Sequence, residues 1–121
     1  MMRVLIVDDS SVMRKIVTRG LRQAGFKIDD ILEAPDGQKG LETQAASKCD
    51  LILSDWNMPN MDGLTFVKEL RKSGDKTPIV MVTTEGGDAK VAEAIKSGAN
   101  GHIKKPFTPD TLRATLGQFF K

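Results

Sequence analysis

Residues 50–63, DLILSDWNMPNMDG, decide the fold. An apolar run, Leu51-Ile52-Leu53, stops at Ser54 and Asp55. The residues that follow, Trp56-Asn57-Met58-Pro59, continue neither a strand nor a helix well, because a proline removes a backbone donor and fixes its own φ. A carboxylate at such a place either holds a turn together or is presented to something.

The same pattern, apolar run then turn chemistry, recurs on both sides. RVLIVDD (3–9) is rich in branched apolar residues and ends in two aspartates. SVMRKIVTRGLRQAG (11–25) follows, with Val12, Ile16, Val17 and Leu21 near helical spacing and Gly25 as a stop. DILEAPDG (30–37) reads as a weaker strand ending in a Pro-Asp-Gly turn. QKGLETQAASK (38–48) is a poor helix, since Gly40 inside it costs about 1 kcal/mol relative to alanine. DGLTFVKELRKSG (62–74) places Leu64, Val67 and Leu70 in one stripe. TPIVMVTT (77–84) is a fourth strand, DAKVAEAIKSGAN (88–100) a helix stopped at Gly98, and GHIKKPF (101–107) a short fifth strand. TPDTLRATLGQFFK (108–121) closes as a helix, with Thr108 as N-cap and Pro109 at its first position. Strands alternating with helices predict an α/β fold, a doubly wound five-stranded parallel sheet with helices on both faces. The near-continuous apolar runs at 4–7, 51–53 and 79–82 agree, because such strands are buried on both sides.

Composition narrows the function classes. A chain of 121 residues fits one ordinary domain, expected to span 1–121 with no output domain behind its last helix. The formal net charge is only +2 and no dense basic run occurs, so electrostatics do not propose nucleic acid as a partner. One cysteine, Cys49, excludes a disulfide framework and reads as a small buried hydrophobe. No cleavable signal and no membrane-length apolar run is visible, so no membrane insertion and a cytoplasmic location are expected.

In an open parallel sheet the site lies beyond the carboxyl ends of the strands. There the chain supplies Asp8 and Asp9 after the first strand and Asp55 after the third. Thr83, Thr84 and Glu85 follow the fourth, and Lys105 the fifth. Each has a bland reading: an N-cap cluster for the aspartate pair, an Asx turn for Asp55, a branched strand residue for Thr83, a solvated surface lysine for Lys105. The bland readings weaken together, because every exception falls at the same edge. Three crowded carboxylates repel one another and raise their own pKa values. A divalent cation removes that cost, and with few, all-oxygen ligands Mg²⁺ suits best, Mn²⁺ substituting. A lysine and a threonine hydroxyl at the same spot are phosphate ligands. Asp55 is then the candidate nucleophile, attacking phosphorus to give an acyl phosphate.

VDDS, SDWNMPNMDG, VTTE and KKPF, in that order at successive strand ends, resemble the motifs of response-regulator receiver domains, and of the single-domain chemotaxis type most of all. The resemblance covers the whole chain and implies the flavodoxin-like strand order 2-1-3-4-5. It implies Asp55 as phosphoacceptor. It implies Mg²⁺ on Asp9, Asp55 and the backbone carbonyl of Asn57, with Asp8 acting through a water. It implies Thr83 and Lys105 on the phosphoryl group. Asn57 and Glu85 resemble the pair that tunes phosphoryl lifetime, and a short-lived group is expected. A cis Lys105–Pro106 bond is expected too, since Lys105 must turn back over the acidic pocket straight after a strand. The implied partners are a sensor histidine kinase as phosphodonor and a downstream protein such as a flagellar motor switch, with a monomeric chain between them. Two positions depart from the pattern. His102 stands where a switch Tyr or Phe is usual, and Thr84 where a smaller residue is common. The output face is expected on the helix 88–98, the strand around His102 and the final helix. Val91 and Ile95 would be outward there, and Ala92 and Ala99 inward.

Other classes compete. A phosphorelay intermediate or phosphate sink stays open within the receiver class, and His102 suits it. A Mg²⁺-dependent aspartyl-phosphate phosphatase needs an acid/base Asp two residues after its nucleophile, where this chain has Asn57. A flavodoxin-like carrier would set a flavin phosphate against acidic strand ends. A degenerate receiver would lack the acidic set. The chain is therefore read as a regulator, not an enzyme, that nonetheless catalyses its own phosphoryl transfer and autodephosphorylation.

Overall fold

The computed structural model describes residues 2–84 and 88–120. Five strands, β1 (Arg3–Val7), β2 (Asp30–Ala34), β3 (Leu51–Ser54), β4 (Ile79–Thr83) and β5 (Gly101–Lys104), pair in parallel in the order β2-β1-β3-β4-β5. The helices between and after them are α1 (Ser11–Gln23), α2 (Gly37–Ala46), α3 (Gly63–Lys72), α4 (Asp88–Ser97) and α5 (Pro109–Leu116), with a 3₁₀ turn at Gly117–Phe119.

The alternation of side chains along each strand divides the core in two. Val4 and Ile6, Leu51 and Leu53, Val80 and Val82 face one side, where Val17 and Leu21 of α1 and Leu112 and Leu116 of α5 pack on them. Leu5 and Val7, Ile52, Ile79 and Met81 face the other, against Phe66, Val67 and Leu70 of α3 and Ala94 of α4. Both faces are apolar, so the central strands carry no polar stripe. Each helix of the set α1, α2, α3 and α5 starts on a side-chain cap. Ser10, Asp36, Asp62 and Thr108 accept the backbone N–H of Met13, Lys39, Thr65 and Thr111.

Four expectations about faces and ends change. In α1 Val17 and Leu21 are buried with Gly20 and Met13 packs partly on the same core, while Val12 and Ile16 are 65% and 43% exposed. Gly20 sets that face: a Cβ there would lie 2.8 Å from the Leu112 side chain, so α1 approaches α5 at its glycine. The helix-breaking Gly40 has a packing reason, since a Cβ there would meet the Phe66 ring at 3.1 Å and Val7 at 3.2 Å. In α4 the buried alanine is Ala94, whereas Ala92 is exposed. Ala99 is buried, but α4 ends at Ser97 and Gly98 takes φ +120°, so helical spacing no longer relates residues 92 and 99. The closing helix stops at Leu116, before a glycine, and tightens into the 3₁₀ turn.

Candidate functional site

β1 and β3 are neighbours, so the residues after them arrive side by side. The Asp8 N–H donates to the Ala34 carbonyl at 3.0 Å and the Asp55 N–H to the Val7 carbonyl at 2.9 Å, which extends the ladders one residue past the strands. β5 does the same beside β4: the Lys105 N–H donates to the Thr83 carbonyl at 3.0 Å. Three backbone bonds thus aim three side chains at one spot. A carboxylate oxygen from each of Asp8, Asp9 and Asp55 lies within 4.8 Å of the others. The Lys105 ammonium sits 3.2 Å from Asp8 Oδ2 and 3.6 Å from Asp55 Oδ2, with its side chain only 11% exposed. The Lys105–Pro106 bond is cis, as expected.

The two oxygens of Asp55 differ. Oδ1 accepts the Trp56 N–H at 2.7 Å, and Oδ2 faces Lys105. The Trp56 bond falls one residue short of the span of an Asx turn: one oxygen is tied to the next residue and the other faces the lysine. Burial pushes the Asp55 carboxyl above the usual aspartate range. Lys105 and the Trp56 N–H oppose that rise, and the charges of Asp8 and Asp9 add to it. The N-cap reading of the aspartate pair fails, because Ser10 is the cap; Asp8 Oδ1 instead accepts the Ser10 N–H at 2.9 Å. Asp8 is buried and Asp9 exposed, so the cluster has a closed inner side and an open outer one. Such hard oxygen donors, few in number beside a lysine, fit Mg²⁺ with part of its shell left to water and phosphate.

The remaining predicted residues take these places. Thr83 is buried at the end of β4 and Thr84 exposed beyond it. Asn57 is exposed in the β3–α3 loop. His102 is half-buried on the edge strand β5, opposite Met81 of β4. On α4, Ile95 is 46% exposed and Val91 half-buried. Glu85 and the Gly86-Gly87 pair lie outside the described residues.

Three contacts were not read from the sequence. Arg14 on α1 donates to the Asp8 carbonyl at 2.6 Å and to Glu33 Oε1 at 2.8 Å, bracing the chain where it leaves β1. Gly63 admits the close return of the loop: its N–H donates to the Trp56 carbonyl at 2.7 Å, and a Cβ would stand 2.2 Å from the Asp55 carbonyl oxygen. Lys90 of α4 places its ammonium 5.3 Å from the centre of the Trp56 ring, a cation–π contact between α4 and the residue next to Asp55. The glycine in NMDG was the one visible signal among them.

A five-stranded parallel sheet with three carboxylates and a lysine at its switch edge defines a receiver. The chain belongs to the response regulator receiver domain family, whose model matches residues 4–117. It is 44% identical to the chemotaxis protein CheY1 of Helicobacter pylori, over 95% of this chain and 94% of that one. It is 45% identical to a chemotaxis protein CheY homolog of Campylobacter jejuni, over 95% and 89%. Among solved structures, the chemotaxis protein CheY4 of Vibrio cholerae superposes with a TM-score of 0.85 at 41% identity, over 99% of both chains. Among the described residues no helix is long and apolar enough to cross a membrane.

Proposed function

We propose that this chain is a chemotaxis-type response regulator in two-component signalling: Asp55 takes a phosphoryl group from a sensor histidine kinase, and the phosphorylated form changes its hold on a partner such as a flagellar motor switch. One observation carries the reading. A half-buried carboxylate with one oxygen anchored and one presented faces Lys105 beside two further carboxylates.

The chemistry follows from that asymmetry. Oδ1 is held by the Trp56 N–H, so Oδ2 attacks phosphorus, and the bond from phosphorus to the donor's imidazole nitrogen breaks. The Lys105 ammonium, already 3.6 Å from Oδ2, meets the charge developing on the transferred oxygens. The Thr83 hydroxyl receives one of them. Asp9, Asp55 and the Asn57 carbonyl would hold Mg²⁺, with Asp8 acting through a water; the cation, or Mn²⁺ in its place, supplies positive charge beside the phosphoryl oxygens. Asn57 and Glu85, polar residues two positions after Asp55 and Thr83, resemble the pair that tunes phosphoryl lifetime in the family, and a short-lived acyl phosphate is expected. The chain works as a regulator on its own aspartate and has no separate substrate to turn over. His102 at the switch position favours a second reading, a phosphorelay intermediate or phosphate sink, in which the phosphoryl group moves on without an output complex.

The test is phosphorylation by acetyl phosphate, read by intact mass. The expected result is one phosphoryl group per chain with Mg²⁺ or Mn²⁺, none with excess chelator, and none in Asp55→Asn. Label that persists in Asp55→Asn or in chelator refutes the assignment. A phosphoryl group that lasts for hours in the purified chain favours the storage reading.

A further inference from the structure

The β3–α3 loop is pinned at two ends. Its inner limb is held to β1 by the Asp55 N–H on the Val7 carbonyl and closed on the start of α3 by the Gly63 N–H on the Trp56 carbonyl. Its outer limb is held by α2. Asn60 takes the left-handed conformation, φ 66°, and its side-chain amide donates to Asp36 Oδ2 at 2.8 Å. Next to it the Gly37 N–H donates to the Met61 carbonyl at 3.2 Å, and a Cβ at Gly37 would come within 2.9 Å of that oxygen. Asp36 is 6% exposed, and its other oxygen caps α2 through the Lys39 N–H at 2.8 Å. An anchored, buried carboxylate is a rigid acceptor, and its bond to an amide is charge-assisted. Neither Asp36 nor Asn60 belongs to the acidic cluster. Between the two pins lie Asn57, Met58 and Pro59.

We propose that Asp36 and Asn60 are positioning residues for the divalent cation: their clasp between the β2–α2 turn and the β3–α3 loop fixes the backbone of Asn57 so that its carbonyl completes the cation's protein ligands. The inference rests on the phosphoacceptor reading above. Outside glycine a positive φ is uncommon and asparagine adopts it more readily than most; here the Asn60 side chain also bonds a residue 24 positions away while the loop's backbone turns. Loss of a group that orients a metal ligand typically weakens binding about 10-fold or more.

The test uses the full chain and Mg²⁺ alone as the probe. The dissociation constant is read by calorimetry and by the fluorescence of Trp56, the single tryptophan and the neighbour of Asp55. Asn60→Gly keeps the positive φ and the α2 cap but removes the clasp. Asn60→Asp sets a second carboxylate against Asp36. Asp36→Asn with Asn60→Asp exchanges donor and acceptor. The expected result is a dissociation constant raised about 10-fold in each single variant at position 60 and largely restored in the exchanged pair. Thermal unfolding in chelator is measured beside it. Variants that lose melting temperature but bind Mg²⁺ like the wild type overturn the proposal, because the bond is then only structural. A wild type that does not bind Mg²⁺ overturns the phosphoacceptor reading together with the clasp. A wild type that binds it, with Asn60→Gly and Asn60→Asp unchanged, overturns the clasp alone.

Discussion

Asp55 shows what presentation of a carboxylate costs. Burial raises its pKa in the folded chain, and Lys105 and the Trp56 N–H offset only part of that rise. The folded state therefore binds the Asp55 proton more tightly than the unfolded state does, and ionising Asp55 works against folding. The penalty is complete above the raised folded value and vanishes below the unfolded value, about 3.9. Asp36 and Asp75 have the opposite sign. For Asp36 the Lys39 N–H and the Asn60 amide hold the pKa down; for Asp75, bonds from Thr77 and Gln44 outweigh burial. Those two contribute stability that is lost as pH falls, so the whole chain's pH curve mixes both. The difference between wild type and Asp55→Asn isolates one residue. In chelator at neutral pH, Asp55→Asn is expected to melt at a higher temperature than the wild type. That gain should shrink as pH drops through the range in which Asp55 takes its proton. Melting curves at matched pH check it, and a gain that grows toward low pH contradicts the sign.

At the scale of elements, α4 is held differently at its two ends. Its last turn is clamped to α3: Arg71 donates from Nε and Nη2 to the Gly98 carbonyl at 3.1 and 2.9 Å and reaches Asn100 Oδ1 at 3.0 Å. At the other end the helix touches the β3–α3 loop through Lys90 over Trp56. Among its described side chains Ala94 is the one buried in the core, while Ile95 stands 46% exposed. An element with a small buried footprint moves at small cost. Beryllofluoride, bound as a phosphoryl mimic, is therefore expected to shift amide resonances of α4 and of β5 around His102, and to leave β2 nearly unmoved. Two-dimensional amide spectra with and without the mimic test this. If the pocket responds and residues 88–98 and 102 do not, the output face lies elsewhere.

For the whole molecule, the site is also a linkage point. A cation that binds the folded chain and not the unfolded one stabilises it by about 2.7 kcal/mol at 100 times its dissociation constant. The wild type should gain melting temperature with Mg²⁺ concentration in that proportion. Asp55→Asn, lacking one of the three carboxylates, should gain less at the same concentration. Melting temperatures over a Mg²⁺ series decide it, and equal shifts in the two proteins would remove Asp55 from the ligand set. The two core clusters let the molecule bear this arrangement. They bury apolar residues on both faces of the sheet, and the buried polar groups of the described residues all have partners.

The sequence by itself determined the elements and the edge at which chemistry collects. Branched apolar runs, caps and glycines act within a few residues, so Leu51–Leu53 read as a buried strand and Thr108-Pro109 as a helix start without any partner in view. Once the strands are parallel, Asp8, Asp9, Asp55 and Lys105 gather at one edge, because each follows the carboxyl end of a strand. Only the tertiary structure decided which helix faces are buried and what holds the site still. Val12 and Ile16 are apolar yet exposed, because Gly20 sets α1 down on α5 along a different stripe. Arg14 on the Asp8 carbonyl and Asp36 on Asn60 join elements that are separate in the chain. Such contacts carry no local period or spacing: their existence depends on distances set by packing of the entire core, and packing is a property of all the side chains at once.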